Sequence, residues 1–541
     1  MQQIGDVSFI LRALVARLQL VMRFVGIFSR CIPEAGVETM NSEAYTTLIN
    51  ECDQALREAN SKKAIFLIRS LALTKIPREF RLRLAELCRR ANIIQTGMKI
   101  LAPIVRADRP AAADKATDQE SAEYASLLEM IGAVPEAMKL LTAVDKRKAP
   151  RAILYQAFCS VSQWEYEAAS RLFVNYLETD LLPYPRLIGS VNYAAALIAV
   201  PATVDQGLEL LAKNIELAQQ NSYNRLLGNC YELRAQARIS RGQFALATSD
   251  LEKAMNLVGV EKIFEQLFIK KWCAVLAAVK NNDVTPIRHF QKEAEASSHW
   301  ESVRDSDLQS LLIHFEQGRF EHLFIGTPFP KYRLRITERL HREAPNGIYS
   351  HGSKGDPTLD LSTGQFESTQ ILNPGKKSHQ LLEFGLRDFY RPMRIGALFG
   401  ALFASEYFDI FTSPGRVHKV IQRARSTFAD HNLPLTIIEQ RSGYWLQKTG
   451  PLEILIPIQR PTVSTNEVYF QRLRNAMAGN EEFTAQEAKE LLKVSNTSFW
   501  RFSRWGVESG IIESFGKGAA TRYRFCAGSS DRSPILRQIQ K

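Results

Sequence analysis

The stretch YNRLLGNCYELRAQARISRGQFALATSDLEKAMNLV, residues 223–258, decides the fold of the N-terminal half of this 541-residue chain. Its apolar residues recur every three to four positions, and the segment Ser240–Gln243 interrupts them with turn-forming residues. Such a period is typical of α-helices, and a short turn between two of them makes the pair antiparallel. Small residues such as Gly228 and Ala247 allow the two helices to approach closely. The stretch therefore predicts a helical hairpin.

The run G-Q-F-x-x-A-x-x-D-L-x-x-A, from Gly242 to Ala254, resembles the second helix of a tetratricopeptide repeat. Weaker copies predict further helix pairs at Ala125–Val144, Ala152–Leu177, Leu187–Gln219, Phe264–Ala296 and Val303–Phe324. We expect an α-solenoid of helical hairpins over residues 40–325, with its long internal loop at Ala111–Glu120. Such arrays present a concave face to a protein, peptide or small ligand. A scaffold that only oligomerises is the alternative at this point.

The charge of the chain is concentrated near its C-terminal end. Lys and Arg number 69 against 57 Asp and Glu, which gives a formal charge of +12. From Ser413 to Lys541 there are 19 basic and 11 acidic residues, so this quarter holds two thirds of the excess. A basic terminal module predicts a polyanionic partner.

Neither the cysteines nor the histidines form a recognisable site. The seven cysteines are scattered and the closest two are 21 residues apart, which predicts buried thiols in a reducing cytoplasm. The nine histidines show no metal-ligand spacing, and no phosphate-binding or nucleophile motif is present. The sequence therefore predicts a protein that is not an enzyme and has neither a cofactor nor a metal.

The N-terminal segment 1–39 contains an apolar run, Val7–Arg30, that is long enough to suggest a membrane helix. Arg12, Arg17 and Arg23 interrupt it, and each costs about 2.5–3.5 kcal/mol on insertion scales, so we expect no membrane insertion. Two interpretations stay open. The run is a helix that docks on the rest of the chain, or translation starts at Met40, where Asn41 or Ser42 could cap the next helix.

Residues 326–450 have a different pattern. Tyr332, Leu334 and Ile336 alternate with polar residues and predict a strand, and Thr358–Gly364 predicts a hairpin. Two helices follow, and then a third that Ser413 is expected to cap. This third helix has an apolar stripe opposite a basic face, and two short strands follow it, Leu435–Glu439 and Gly443–Gln447.

The order S-P-x-R-V-x-x-x-I-x-R-x-R, P-L-T-I-I-E and R-S-G-Y-W-L over these elements resembles the winged helix-turn-helix effector domain of OmpR-type response regulators. The resemblance covers about Leu359 to Lys448. It implies that the third helix reads the major groove and that the hairpin is the wing. The implied DNA contacts are Arg416, Lys419, Gln422 and Arg423 on the helix, and Arg441 and Tyr444 on the wing. Control of this module would come from the helical array, and RNA polymerase is a further candidate partner.

Residues 451–465 are expected to be a linker, 466–527 a second module and 528–541 a tail. The phrases F-T-x-x-E-A-x-x-L-L-x-V-S-N-T-S-x-x-R and E-S-G-I-I-x-x-x-G-x-G-x-x-T-R-Y-x-F resemble the winged helix of DeoR-like repressors. Thr484 and Glu487 form a predicted capping box, and Gly510 a predicted C-cap. The resemblance implies DNA contacts from Asn496, Ser498, Arg501, Arg504, Lys517 and Arg522. Four aromatic residues crowd the same helix and belong to the core or to an interface: Phe499, Trp500, Phe502 and Trp505.

The expected architecture is mainly α, with an α-solenoid of helical hairpins followed by two C-terminal α+β winged helix-turn-helix domains. The expected function is that of a cytoplasmic, nucleoid-associated bacterial transcription regulator, in which the array binds a protein or peptide and controls the two DNA-binding domains. The alternative is a protein-interaction scaffold whose winged helices dock proteins rather than DNA.

Overall fold

The structure, a computed structural model, describes residues 40–58, 60–107, 111, 114–258, 263–440, 443–458, 465–477, 482–492, 494–516, 518 and 521–526. The Val7–Arg30 run, both interpretations of residues 1–39 and the expected tail 528–541 therefore lie outside the described residues. Within those ranges, no helix combines the length and the apolar character that a membrane span needs.

The chain divides into two compact units, residues 1–93 and residues 94–541. The first contains α1 (Ser42–Arg57), α2 (Ser61–Arg69) and α3 (Arg78–Arg90). The side chain of Asn41 accepts a hydrogen bond at 2.8 Å from the backbone N–H of Ala44 and caps α1, as expected from the sequence.

The second unit begins with a helical array, which we define as residues 94–340. Its helices are α4 (Ile94–Val105), α5 (Asp118–Met130), α6 (Val134–Ala143), α7 (Arg151–Ser162), α8 (Tyr166–Leu177), α9 (Pro183–Ala199), α10 (Val204–Gln220), α11 (Asn224–Ser240), α12 (Phe244–Leu257), α13 (Ile263–Asn281), α14 (Thr285–Ala296), α15 (Trp300–Ile313), α16 (Gln317–Ile325) and α17 (Pro330–Leu340). All six predicted helix pairs are confirmed, from α5–α6 to α15–α16. The expected loop Ala111–Glu120 is described only in part, and its last three residues already belong to α5, which begins at Asp118.

The α11–α12 hairpin shows why its sequence motif folds as it does. A Cβ atom on Gly228 would lie 2.9 Å from Val258, so only glycine allows this close approach of the two helices. Gly242 makes the turn with a φ of 71°, in the left-handed region that favours glycine. The carboxylate of Asp250 is buried and accepts hydrogen bonds from Arg234 at 2.7 and 2.9 Å and from Arg238 at 2.6 Å.

The expected strand at Tyr332–Ile336 is wrong, because this segment is part of helix α17. Tyr332 and Ile336 are one helical turn apart and both are fully buried, whereas Leu334 points away and is 50% exposed. Tyr332 and Ile336 therefore have the i, i+4 spacing of the buried face of a helix, and this spacing looks like strand alternation over so short a segment. The array consequently extends past residue 325, where the sequence placed its end.

The first basic module, residues 348–458, contains both sheet and helices. Its strands are β1 (Ile348–His351), β2 (Thr358–Asp360), β3 (Gln365–Phe366), β4 (Thr369–Gln370), β5 (Leu435–Gln440), β6 (Gly443–Lys448) and β7 (Glu453–Pro457). Its helices are α18 (Lys377–Gly385), α19 (Ile395–Leu402) and α20 (Ser413–Asp430). The predicted 358–364 hairpin is confirmed by the pairing of β2 with β3, and β5 and β6 form the second hairpin.

Strand β7 corrects the expected linker 451–465. It lies inside a five-stranded sheet of order β1-β7-β2-β3-β4, antiparallel to β1 and parallel to β2. Ile454 and Ile456 are buried, so the apolar run is a core strand of the first basic module. The linker expectation failed because the strand pairs with residues about a hundred positions earlier in the chain, such as Ile348 with Pro457.

The second basic module, residues 465–526, has the order α21 (Thr465–Ala476), β8 (Glu482–Thr484), α22 (Ala485–Leu492), α23 (Asn496–Glu508), β9 (Ile512–Phe515) and β10 (Arg522–Phe525). The strands form one sheet of order β8-β10-β9. The capping box is confirmed, since Glu487 N–H donates to Thr484 Oγ1 at 3.2 Å and Thr484 N–H donates to Glu487 Oε2 at 2.7 Å. Gly510 ends α23 with a φ of 66°, as expected.

Candidate nucleic-acid interface

Helix α20 presents the basic face that the sequence predicts. Its apolar stripe is buried: Val417, Val420, Ile421, Ala424 and Phe428. Lys419, Gln422 and Arg423 lie on the opposite side and are exposed, even though the array is docked on this module. Among the described residues, neither Lys419 nor Arg423 forms an ion pair within 4.0 Å. Two cations and an amide on one exposed helix face can donate to phosphate oxygens and base edges.

Arg416 lies on the same helix but is already paired. Its guanidinium donates to both carboxylate oxygens of Glu406, one of them at 2.8 Å. It also lies over the ring of Phe403, 4.1 Å from the centroid. The hydrogen bond from Arg416 is the main reason that the pKa of Glu406 lies below its ordinary value. Arg416 therefore holds the loop between α19 and α20 and is less available to an external ligand than Lys419 or Arg423.

Two expectations for this module are corrected. Tyr444 was expected on the wing surface, but its side chain is 5% exposed and its hydroxyl lies 2.6 Å from His418 Nε2. It packs inward because its position in β6 faces the helices. Ser413 was expected to cap α20, but Thr412 precedes the helix and Ser413 is its first, buried residue. Arg441, the other expected wing contact, lies outside the described residues.

Helix α23 of the second basic module has a mixed surface. Asn496, Arg501 and Arg504 are exposed, and Ser498 is half-buried. Asn496 accepts a hydrogen bond from Lys489 at 2.7 Å, and Arg504 donates to Glu508 at 2.9 Å on the same helix. On the hairpin, Arg522 is exposed and lies 4.0 Å from Glu482, while Lys517 falls outside the described residues.

The aromatic residues of α23 divide between core and surface. Phe499 and Phe502 are buried, where Phe499 packs on Tyr523 and Phe502 on Tyr469, whereas Trp500 is 61% exposed. Gly506 faces β9, where an added Cβ atom would lie 2.6 Å from the side chain of Ile512. The helix therefore packs so closely on the hairpin that aromatic residues one turn away fill the core. Trp500 alone of the four is left as a large exposed aromatic side chain in this described helix.

The two basic modules approach each other around Glu406. The ammonium of Lys376 lies over the ring of Tyr469, 6.0 Å from its centroid. The positive charge of Arg501 contributes to lowering the pKa of both Glu406 and Lys377. Arg416 and Arg501, one expected DNA contact from each module, therefore both act on the pKa of Glu406, Arg416 by its direct hydrogen bond.

The first basic module is fixed to helix α15 of the array through buried charges. Arg304 is fully buried and donates to Asp388 at 2.6 Å and to Glu301 at 2.7 Å. Asp307 accepts a hydrogen bond from the hydroxyl of Tyr390 at 2.6 Å. Burial alone would raise the pKa of Asp388, but the positive charges of Arg304 and Arg391 outweigh it and hold that pKa below its ordinary value.

A second part of this junction lies at the turn between α5 and α6. The backbone N–H of Gly396 donates to the carbonyl of Ile131 at 3.0 Å, and the guanidinium of Arg394 donates to the carbonyl of Met130 at 3.2 Å. The carboxylate of Glu136 on α6 accepts from the backbone N–H of Phe408, in the loop between α19 and α20, at 2.9 Å. Burial is the main reason that the pKa of Glu136 is raised.

This junction was not predicted from the sequence. Its contacts join residues 83 to 272 positions apart, and each acid or base taken alone has the pattern of a surface residue. One local signal was present in the sequence of α15. Its charged residues lie on several sides of the helix, whereas a helix with a single exposed face carries its charged residues on that face.

The comparisons with known proteins give little further information. No family model matches the sequence, and no curated protein matches it. Among solved structures, a Rap protein complexed with competence and sporulation factor matches with a TM-score of 0.39 and 12% identity, over 56% of this chain and 93% of that one. Aspartyl phosphate phosphatase F from Bacillus subtilis matches with a TM-score of 0.33 and 12% identity, over 57% and 91%. Likeness at this level assigns no function to the chain.

The described residues also contain no group of three or more His, Cys, Asp or Glu side chains placed to hold a metal ion. Four of the cysteines, Cys52, Cys88, Cys159 and Cys230, are buried thiols, as expected, and Cys273 is exposed. Burial raises the pKa of Cys52 to about 11 and those of Cys159 and Cys230 to about 12, so these three are unreactive at neutral pH.

Proposed function

We propose that this helical-repeat protein is a regulator in which the array binds a protein or peptide partner and the docked first basic module binds duplex DNA. The observation that carries the DNA-binding part is the exposed basic face of α20, where Lys419 and Arg423 form no ion pair with any described residue and lie beside the exposed Gln422. Three helices followed by the β5–β6 hairpin support a winged-helix interpretation of the module. No catalytic step is part of the proposal.

The protein-interaction part has the more direct support. The array already binds a folded module through the buried Arg304–Asp388 pair and the partly exposed Arg391–Glu301 pair, which requires surfaces with matched shape and charge. Helical arrays commonly use such surfaces for partners. Because the junction leaves the α20 face uncovered, partner binding and DNA binding are able to occur on the same molecule.

The test is a titration of the full chain with a fluorescent random-sequence duplex at several salt concentrations. The logarithm of the affinity should fall linearly with the logarithm of the salt concentration, with a slope of about −0.9 per phosphate contacted. Replacing Lys419 and Arg423 together by Gln should weaken binding at least tenfold and make that slope shallower by about 2. Lys354→Gln, which removes an exposed positive charge from a loop of the same module, is the control and should bind like the wild type.

A second candidate function, the docking scaffold, is favoured by the surface of α23. Trp500 is 61% exposed and Val507, two turns further along the helix, is 42% exposed. Exposed apolar residues on one helix face are typical of protein-binding surfaces. If Arg501→Ala leaves every DNA affinity unchanged while the Lys419 and Arg423 variant loses binding, α23 serves protein contacts. If the wild-type chain shows no salt-dependent DNA binding at all, the scaffold replaces the DNA-binding proposal for both modules.

A further inference from the structure

A group of cations inside the array has fewer acidic partners than it needs. Lys271 on α13 is buried, and its ammonium lies 3.0 Å from Asp305 Oδ2 on α15. Arg335 and Arg339, one turn apart on α17, face the same acid and are partly exposed. We call Lys271, Arg335 and Arg339 the cationic cluster.

The carboxylate of Asp305 is already satisfied without the two arginines. Lys271 donates to its Oδ2, and the hydroxyl of Tyr332 and the amide of Gln309 donate to its Oδ1 at 3.5 and 3.4 Å. Within the described parts of the chain, neither Arg335 nor Arg339 has a carboxylate within 4.0 Å. The buried Nε atom of Arg335 has no hydrogen-bond partner there. Guanidinium groups that are partly buried and unpaired are unfavourable unless a ligand completes them.

The electrostatics of the cluster agree with this geometry. Burial lowers the pKa of Arg339, and the positive charge of Arg335 lowers it further. The pKa of Asp305 stays below its ordinary value although burial would raise it, because Lys271, Arg335 and Arg339 all act on this one acid. Burial raises the pKa of the nearby Glu232 to about 7, so this acid carries only part of its negative charge at neutral pH.

Aromatic rings lie beside Lys271 and beside Tyr332, which bonds to Asp305. The ring of Trp164 packs on Tyr332, with centroids 4.1 Å apart, and brings the turn between α7 and α8 against α17. The ring of Phe268 is 40% exposed, packs edge-on against His299 at 4.5 Å, and has its centroid 5.9 Å from the ammonium of Lys271.

We propose that Arg335 and Arg339, with Lys271 behind them, bind an oxyanion group, a carboxylate or a phosphate, of the ligand of the array. A guanidinium group can donate two parallel hydrogen bonds to such a group, and this geometry suits carboxylate and phosphate equally. This inference deepens the partner-binding part of the proposed function and is independent of whether α20 binds DNA.

The probes are sodium phosphate and hexaglutamate, added to the full chain at constant ionic strength. The melting temperature should rise with at least one probe, and the stronger of the two identifies the kind of oxyanion. Arg335→Gln and Arg339→Gln should each weaken binding at least tenfold by calorimetry. Lys331→Gln, an exposed cation at the start of α17, should bind like the wild type. No rise with either probe, or equal binding by the wild type and both Gln variants, overturns the inference.

The folding and the DNA binding of the same variants are measured separately from probe binding. Each Gln variant removes one of two neighbouring positive charges, so its melting temperature without ligand should equal or exceed that of the wild type. A loss of probe binding is then not caused by a loss of folding. Arg339→Lys keeps the positive charge but loses the planar guanidinium with its two parallel donors. Its affinity for the probe should therefore lie between those of the wild type and Arg339→Gln. The Gln variants should bind duplex DNA normally. A chain that binds the probes but not DNA would contradict only the DNA-binding proposal.

Discussion

Arg304, fully buried in the array, donates a hydrogen bond at 2.6 Å to Asp388 of the first basic module, 84 residues further along the chain. Glu301 and Arg391 complete this cluster with contacts of 2.7 Å to Arg304 and 2.9 Å between Arg391 and Asp388. Because a buried charge without its partner is strongly unfavourable, the array and the module form one structural unit. The exposed face of α20 is therefore held in a fixed position relative to the array.

Asp388→Asn should destabilise the junction. The amide keeps the shape and the hydrogen-bond acceptor but removes the charge that pairs with Arg304. The free energy of unfolding should fall by about 3 kcal/mol, near the lower end for broken buried pairs, because Glu301 still pairs with Arg304. Urea unfolding of the full chain measures this. The control, Glu508→Gln, breaks the exposed Arg504–Glu508 pair and should produce no measurable change. Equal effects of the two variants would contradict a structural role for the buried pair.

The contribution of Asp388 should also depend on pH. Its pKa lies below the ordinary 3.8, because Arg304 and Arg391 outweigh the effect of burial. A carboxyl group with a depressed pKa in the folded state stabilises the fold fully above its unfolded-state pKa, and this stabilisation is lost as the pH falls through the folded-state value. The difference in melting temperature between the wild type and Asp388→Asn should be constant from about pH 7 to 5 and shrink below about pH 4. A difference that grows on acidification would be inconsistent with this pairing.

Two glycines of α19 should respond to alanine in opposite directions. A Cβ atom on Gly396 would lie 2.8 Å from the carbonyl oxygen of Ile131, so Gly396→Ala should push the module away from the array and destabilise it by about 1–3 kcal/mol. Gly400 has open space around it on the same helix, and Gly400→Ala should stabilise by about 0.5–1 kcal/mol. Thermal unfolding distinguishes the two. Stabilisation by both substitutions would show that α19 does not depend on the Gly396 contact.

Glu406→Gln should strengthen DNA binding if α20 contacts DNA. The substitution removes the partner of Arg416, so one more cation becomes available to phosphate. Affinity for a random duplex should rise several-fold and the salt slope should steepen by about 1. Glu343→Gln makes the same charge change at an exposed site before the module and should have a much smaller effect. Equal effects of the two variants would indicate that only net charge matters.

The elements that depend on local sequence were predictable. The helix pairs of the array follow from a period of three to four residues, and the basic face of α20 follows from one helix with one apolar stripe. The error at α17 has the same origin, because Tyr332 and Ile336 satisfy both a strand pattern and an i, i+4 helical pattern over so short a segment. Only the packing of both side chains in the array core decides between them.

The elements that depend on distant pairing were not predictable. Strand β7 is central because it joins β1 and β2, and nothing in residues 451–457 indicates these partners. The same limit applies to the candidate site. Sequence placed Lys419, Gln422 and Arg423 correctly on one face, but it could not show that Arg416 is paired with Glu406 or that Tyr444 turns inward to His418.

Hydrogen–deuterium exchange of the full chain, with and without a saturating duplex, tests the central claim most directly. The claim is that α20 binds DNA while its module stays docked on the array. It predicts slower exchange on DNA binding in residues 413–430 and in the β5–β6 hairpin, with no change in residues 300–313 and 386–396 at the junction. Unchanged exchange in α20, or protection confined to the array, would contradict the claim.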